Sequence, residues 1–264
     1  MDPLVMGVLN VTPDSFSDGG LYLDVDAAVA HGEELARDGA ALVDVGGEST
    51  RPGAEPVAGG EEIERVVPVV ERLTTGGVTV SIDTRKAAVA SAALQAGARI
   101  VNDVSAFRHD PSMAGLVAGA GAGCCLMHML GDDPRTMQAE PRYDDVVSEV
   151  KSFLEERLAF AVGEGVREDN VWLDPGIGFG KTIDHNLELL RRLDEIVAIG
   201  RPVVIGTSRK SFLGRITGRS EREREAATIA TNVIAFERGA SVFRVHEVRG
   251  TLDALKVAAA TVRP

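Results

Sequence analysis

Eight short aliphatic runs, separated by longer amphipathic stretches, constrain this chain more than any other feature. They are Leu4–Asn10, Ala41–Gly46, Val78–Asp83, Arg99–Val104, Gly123–His128, Asn170–Asp174, Pro202–Thr207 and Ser241–His246. Each is nearly continuous in apolar residues, the pattern of parallel strands buried on both faces. Between them, apolar residues recur every three or four positions, as at Ile63, Val66, Val67, Val70 and Leu73, or Val146, Val150, Phe153, Leu154, Leu158 and Ala161. Similar helical spacing covers Ala27–Leu35, Ala87–Leu94, Leu187–Val197, Ala226–Phe236 and Leu252–Val262. Pro68 falls inside one such helix, where a missing N–H predicts a kink or an early end. No linker or low-complexity tract divides residues 1–264. Eight strand–helix units in one domain predict an α/β fold, a (β/α)8 barrel, with a doubly wound open sheet as the rival.

Composition narrows the function classes. A hydrophobic content of 44% with 26% charged residues supports a large core, and only 4% aromatics leaves that core aliphatic. No apolar stretch reaches the roughly 20 residues that span a bilayer, and Met1-Asp2-Pro3 does not begin a secretory signal. Cys124 and Cys125 are adjacent, cannot form an ordinary disulfide together, and read as small buried residues suited to a reducing cytoplasm. A net charge of −12 argues against nucleic acid or an anionic membrane as partner. Any anionic ligand must therefore meet a local concentration of cations.

Such a concentration exists at the strand ends. The runs lead into Asn10, then Asp44 and Glu48, Asp83, Asn102 with Asp103, His128, Asp174, Ser208-Arg209-Lys210, and Arg244 with His246. In a barrel all of these surround one mouth, where sites of this fold are built. Asp83, Asn102 and Asp174 sit at apolar runs and need partners; they suit a flat heterocycle with amino and ring N–H groups. An acid/base pair or a metal site is the alternative use of the two carboxylates, and internal pairing the alternative for Asn102. Arg51, Arg209, Lys210, Arg244 and His246 suit a phosphate or pyrophosphate, with surface ion pairing the alternative for Arg51 and Arg209. Asn10 offers a neutral oxygen to Mg2+. The stretch Asp174–Thr182 ends like a phosphate-binding loop, but Pro175 stands where that motif requires glycine. It reads instead as a tight glycine loop that displays Phe179 and lets a flat ligand approach.

The strings themselves carry a family resemblance. MGVLNVTPDSFSDGG (Met6–Gly20), DVGGESTRPG (Asp44–Gly53), SIDT, NDVS, LMHM, DPGIGFGKT, SRKSFLG and RVHEV follow one another in order from the first strand to the last. In this the chain resembles the dihydropteroate synthase family. The resemblance implies a (β/α)8 barrel, usually a homodimer, that condenses 6-hydroxymethyl-7,8-dihydropterin diphosphate with 4-aminobenzoate. It implies pterin contacts from Asp83, Asn102, Met127, Asp174, Gly206, Lys210 and Arg244. Pyrophosphate would meet Asn10, Arg51, Arg244 and His246, with Mg2+ at Asn10. The 4-aminobenzoate pocket would use Thr50, Pro52, Phe179, Ser208 and Lys210, and Asp14 with Ser15 would lie in a loop that completes the site. Asp83, Asp174, Lys210, Arg51 and Asp14 would be the catalytic group. Loops Val11–Leu21 and Glu48–Gly59 are rich in Gly, Pro, Ser and Asp, which suits movement. Glu247 stands where the family's last motif usually has Asp, and Ala106-Phe107-Arg108 follow NDVS in variable territory. A pterin-binding methyltransferase and a catalytically silent paralogue are the rival functions.

Overall fold

A computed structural model describes residues 2–12, 24–49, 54–133 and 136–262. Eight parallel strands alternate with helices: β1 (Leu4–Asn10), α1 (Val25–Arg37), β2 (Leu42–Gly46), α2 (Gly59–Thr75), β3 (Val80–Asp83), α3 (Ala87–Gln95), β4 (Ile100–Asp103) and α4 (Met113–Ala120). They continue as β5 (Gly123–Met127), α5 (Val146–Gly163), β6 (Val171–Asp174), α6 (Ile183–Arg191), α7 (Leu193–Val197), β7 (Val204–Ile205), α8 (Ser211–Thr217), α9 (Glu225–Glu237), β8 (Val242–Val245) and α10 (Val248–Val262). The ladder runs β6-β5-β4-β3-β2-β1-β8-β7. A parallel bridge between Leu173 and Val203 joins its two ends. Ladder and bridge together make the barrel, which excludes the open doubly wound sheet.

All eight expected strands are present. β7 is shorter than its sequence run because a single bridge closes the barrel there, leaving few ladder bonds for Pro202–Thr207. Pro68 neither stops nor shortens α2, which runs through it to Thr75. Val66, Val69, Val70 and Leu73 are fully buried around the proline, and that packing outweighs the one backbone bond it forgoes. The expected helix Leu187–Val197 is broken at Arg192 (φ −111°, ψ 30°) into α6 and α7. Two helices escaped the periodicity. α4 (MAGLVAGA) is apolar on every face, and α8 (SFLGRIT) is too short to show a period.

Strand alternation sorts the side chains into two cores. Val5, Val43, Val45, Val101, Cys124, Leu126, Leu173, Ile205, Phe243 and Val245 face the helices in the main core. Met6, Leu42, Cys125, Val204 and Val242, with Ile100 and Trp172 against them, form a separate cluster in the barrel. This second cluster is an apolar floor. Two residues further along the same strands stand Asp44, Asn102, Met127, Asp174, Gly206 and Arg244. The period of two therefore carries six of the eight strands from floor to site. Both cysteines are buried free thiols, and burial pushes Cys124 up to about 12.

Phe243 is the largest fully buried side chain and precedes Arg244. Phe243→Ala is expected to cost about 3–5 kcal/mol in urea unfolding. A loss below about 1 kcal/mol would contradict the packing described.

Candidate active site

At the level above the floor, one cation binds two acids. Arg244 Nε donates to Asp44 Oδ2 at 2.7 Å, and its Nη2 donates to Asp83 Oδ2 at 2.7 Å. Asn102 Nδ2 donates to the same Asp44 oxygen at 2.9 Å. The four residues come from β8, β2, β3 and β4, brought into one layer by ladder register: Asp44 faces Ser81, and Asp83 faces Asn102. Asp44 has no exposed surface, and among the described residues its Oδ1 has no hydrogen-bond partner. Burial pushes Asp83 up to about 7; Arg244 opposes that rise, while Asp44, Glu62 and Asp103 reinforce it. Asp174, on β6, is also held above the usual carboxylate range by burial, against an N–H bond from Gly176 and the nearby Lys210, Arg244 and Lys181.

The loop after Asp174 supplies the neighbouring wall. Gly176, Gly178 and Gly180 all have positive φ (67°, 84° and 67°), a backbone open to glycine at little cost. Here the close approach is to protein, not to a ligand. A Cβ on Gly176 would lie 1.8 Å from the His128 carbonyl oxygen, and one on Gly180 would lie 2.3 Å from Leu130 Cβ. The loop does display Phe179: Lys210 Nζ sits 4.0 Å from its ring centroid. Phe179 also packs against Val104, Met127, Met129 and Met137. On β7's far side, Ser208 Oγ and His246 Nδ1 are 2.9 Å apart.

Most expected site residues therefore gather at the mouth: Asp83, Asn102, Met127, Asp174, Gly206, Ser208, Lys210, Arg244, His246 and Phe179. Gly206 has open space where a Cβ would stand. Asn10 ends β1 and is exposed. Asp14, Ser15, Thr50, Arg51 and Pro52 lie outside the described residues.

Three strand-end groups serve other ends. His128 is buried against Lys181, Nδ1 to Nζ 2.9 Å, with its ring edge on Phe153; burial first, then Lys181 and Arg108, pull it down to about 2. Asp103 accepts from Ser105 and from Phe107 N at 3.1 Å, which secures a turn where Ala106 and Phe107 take positive φ. Arg209 pairs at the rim with Glu247 at 2.5 Å, the ordinary ion pair that was its alternative reading.

Sequence reasoning passed over a second charged group. Lys86 bridges Glu48 and the buried Glu62, with Arg85 3.2 Å from Glu48. It secures the root of the Glu48–Gly59 segment; the adjacent Arg85-Lys86 pair was its only signal.

A barrel with this acid-lined mouth belongs to a class of enzymes that hold an amino-substituted heterocycle, and the family described as "Pterin binding enzyme" matches residues 6–246. The chain is 52% identical to dihydropteroate synthase of Mycobacterium leprae (strain TN), over 97% of this chain and 92% of that protein. Among solved structures it is similar to Xanthomonas albilineans dihydropteroate synthase with 4-aminobenzoic acid: TM-score 0.93, 47% identity, 100% of this chain and 94% of that one. The same organism's enzyme in complex with 7,8-dihydropteroate gives a TM-score of 0.88 at 44% identity, over 100% and 95% of the two chains. The chain belongs to the dihydropteroate synthase family.

Because burial pushes Asp83 up to about 7, its anionic form is gained as pH rises through that value. The value of kcat/KM for the heterocyclic substrate is expected to climb through about pH 7, and Asp83→Asn to remove that limb. An unchanged limb in the variant would assign it to another group.

Proposed function

We propose that the chain joins 6-hydroxymethyl-7,8-dihydropterin diphosphate to 4-aminobenzoate, giving 7,8-dihydropteroate and pyrophosphate by dissociative substitution. The observation that carries this reading is the layer of Asp44, Asp83, Asn102 and Asp174 around Arg244, acids and an amide held at the mouth by one cation. Asp83, Asn102 and Asp174 would hold the amino and ring N–H groups of the pterin, Met127 and Arg244 its faces, and Gly206 its edge. As the C–O bond breaks, its electron pair leaves on pyrophosphate and positive charge spreads over the reduced ring. The acids of this layer favour that charge.

Asn10, Arg51, Arg244 and His246 would receive the leaving group, an anion that needs cations in a chain of net charge −12. The Mg2+ that we propose would lie at Asn10. Among the described residues no group of three His, Cys, Asp or Glu is placed for a metal ion. An exposed neutral oxygen fits a cation that keeps its waters and shares substrate phosphates. When bound it would neutralise charge on the pyrophosphate oxygens.

Thr50, Pro52, Phe179, Ser208 and Lys210 would form the amine pocket. There the Lys210–Phe179 stack offers an aromatic wall beside a cation able to meet a carboxylate. The amine nitrogen forms the new C–N bond and then gives up a proton, which calls for orientation more than for a strong base. Asp14, with the pyrophosphate and amine-pocket residues 50–52, would close the site from the first two loops.

A homodimer is supported by Ile216, Ile234 and Val257, exposed on α8, α9 and α10, which pack side by side. The buried free thiols suit a cytoplasmic setting. No helix among the described residues is long and apolar enough to cross a membrane. Residues 1–264 would act as one pterin-binding barrel domain.

Purified protein is expected to release pyrophosphate only when 4-aminobenzoate and Mg2+ are both present, with sulfonamides competing against the amine. Pterin binding without such turnover would favour a silent paralogue, and methyl transfer would favour the methyltransferase reading.

A further inference from the structure

The glycine loop that presents Phe179 has little stiffness of its own. Three of its residues, Gly176, Gly178 and Gly180, occupy positive φ, and an unbraced glycine-rich loop would visit many other conformations. Its backbone is nevertheless tied at Gly178, Phe179 and Gly180. Gly178 N donates to Asn186 Oδ1 at 2.7 Å, and Asn186 Nδ2 donates back to Thr182 O at 2.7 Å. Gly178 O accepts from Gln138 Nε2. Gly180 O accepts from the Tyr143 hydroxyl at 2.9 Å.

The carbonyl of Phe179 itself accepts from Lys181 Nζ at 3.1 Å. Lys181 is 4% exposed, although a lysine is rarely buried without a partner of opposite charge. Its ammonium gives a second hydrogen bond to His128 Nδ1, so it links the end of β5 to the loop. His128 is in turn fixed by the edge contact with Phe153, ring centroids 4.8 Å apart. The desolvation of Lys181 is thus spent on a backbone carbonyl whose own side chain faces Lys210.

We propose that Lys181 is a positioning residue for the amine substrate: with Gln138 and Tyr143 it fixes Phe179 against Lys210, and so sets affinity for the aromatic amine without touching it. This deepens the proposed function and rests on its assignment of Phe179 to the amine pocket. Lys181 holds the Phe179 carbonyl, Gln138 the one before it and Tyr143 the one after. Loss of any one tie lets the ring turn away from Lys210, while Arg244 keeps its bonds to Asp44 and Asp83.

The test is steady-state kinetics on the full chain, with each substrate varied in turn. Phe179→Ala serves as the reference, and Lys181→Met and Tyr143→Phe test the inference. Lys181→Met removes the amine but keeps the stem. Tyr143→Phe removes one half-buried hydroxyl and no charge, so it guards against a folding defect. Both variants are expected to raise KM for 4-aminobenzoate about tenfold, and Tyr143→Phe, which removes no charge near Asp174, to change KM for the pterin diphosphate less than about twofold. A rise with Phe179→Ala but none with Lys181→Met or Tyr143→Phe would overturn the inference alone. No rise with Phe179→Ala would overturn the placement of Phe179 and the inference with it. An equal rise in both KM values for Tyr143→Phe would also overturn it, because the loop would then serve both substrates.

Discussion

Everything at the mouth of this barrel depends on the guanidinium of Arg244. Two carboxylates from neighbouring strands, Asp44 and Asp83, stand within one layer, with Asp174 close enough to feel the same cation. Acids so close and so dry repel one another and lose hydration that the barrel does not return. Arg244 offsets both costs, and its planar fork reaches two strands where a point charge would serve one. Asn102 satisfies Asp44 further and adds no charge. The result is a buried anionic layer, which a positively charged heterocycle would find complementary.

The barrel makes this layer available by plain geometry. Met6, Leu42, Cys125, Val204 and Val242 fill the level beneath it with buried apolar side chains. Two residues further along these strands stand Asp44 and Arg244, with Asn102 and Asp174 at the same level on β4 and β6. To one side, the Gly176–Gly180 loop is moulded onto the His128 carbonyl and Leu130, and it brings Phe179 to Lys210. The ring site is thus built on strands and the amine wall on a braced loop. That division suits a rigid first substrate and a second one that enters beside it.

Much of this was legible in the residues. The eight aliphatic runs predicted eight parallel strands, and the polar residue at each end predicted the mouth. The runs did not disclose which alternate residues face inward, because strands covered by helices on one side and a packed floor on the other are apolar on both faces. Asp44 and Asp83 could be placed at a mouth, but their sharing of Arg244 depends on ladder register across four strands. His128 looked like a mouth residue and turned inward, since only the fold reveals that Lys181 waits beside it. Lys181 itself was hidden by a motif resemblance: it ends a sequence like a phosphate loop, yet its ammonium is committed to protein. Pro68 misled for a thermodynamic reason, because tertiary burial of α2 outweighs a local penalty. Thr50, Arg51 and Pro52 were named from the motif, and the described residues reach only to Glu48-Ser49 and resume at Ala54.

The central claim is that Arg244 makes the burial of these acids tolerable. The most direct measurement is urea unfolding of wild type and Arg244→Met at pH 5 and pH 8. With Arg244 gone, nothing offsets the burial that raises Asp83: at pH 5 it takes a proton at small cost, whereas at pH 8 it must either keep that proton against the solvent or stand charged and unpaired, at a larger cost. The account predicts a loss of about 3–5 kcal/mol at pH 8 that shrinks to about half or less at pH 5. An equal loss at both values would mean that Arg244 supports the barrel by packing, and would contradict the claim.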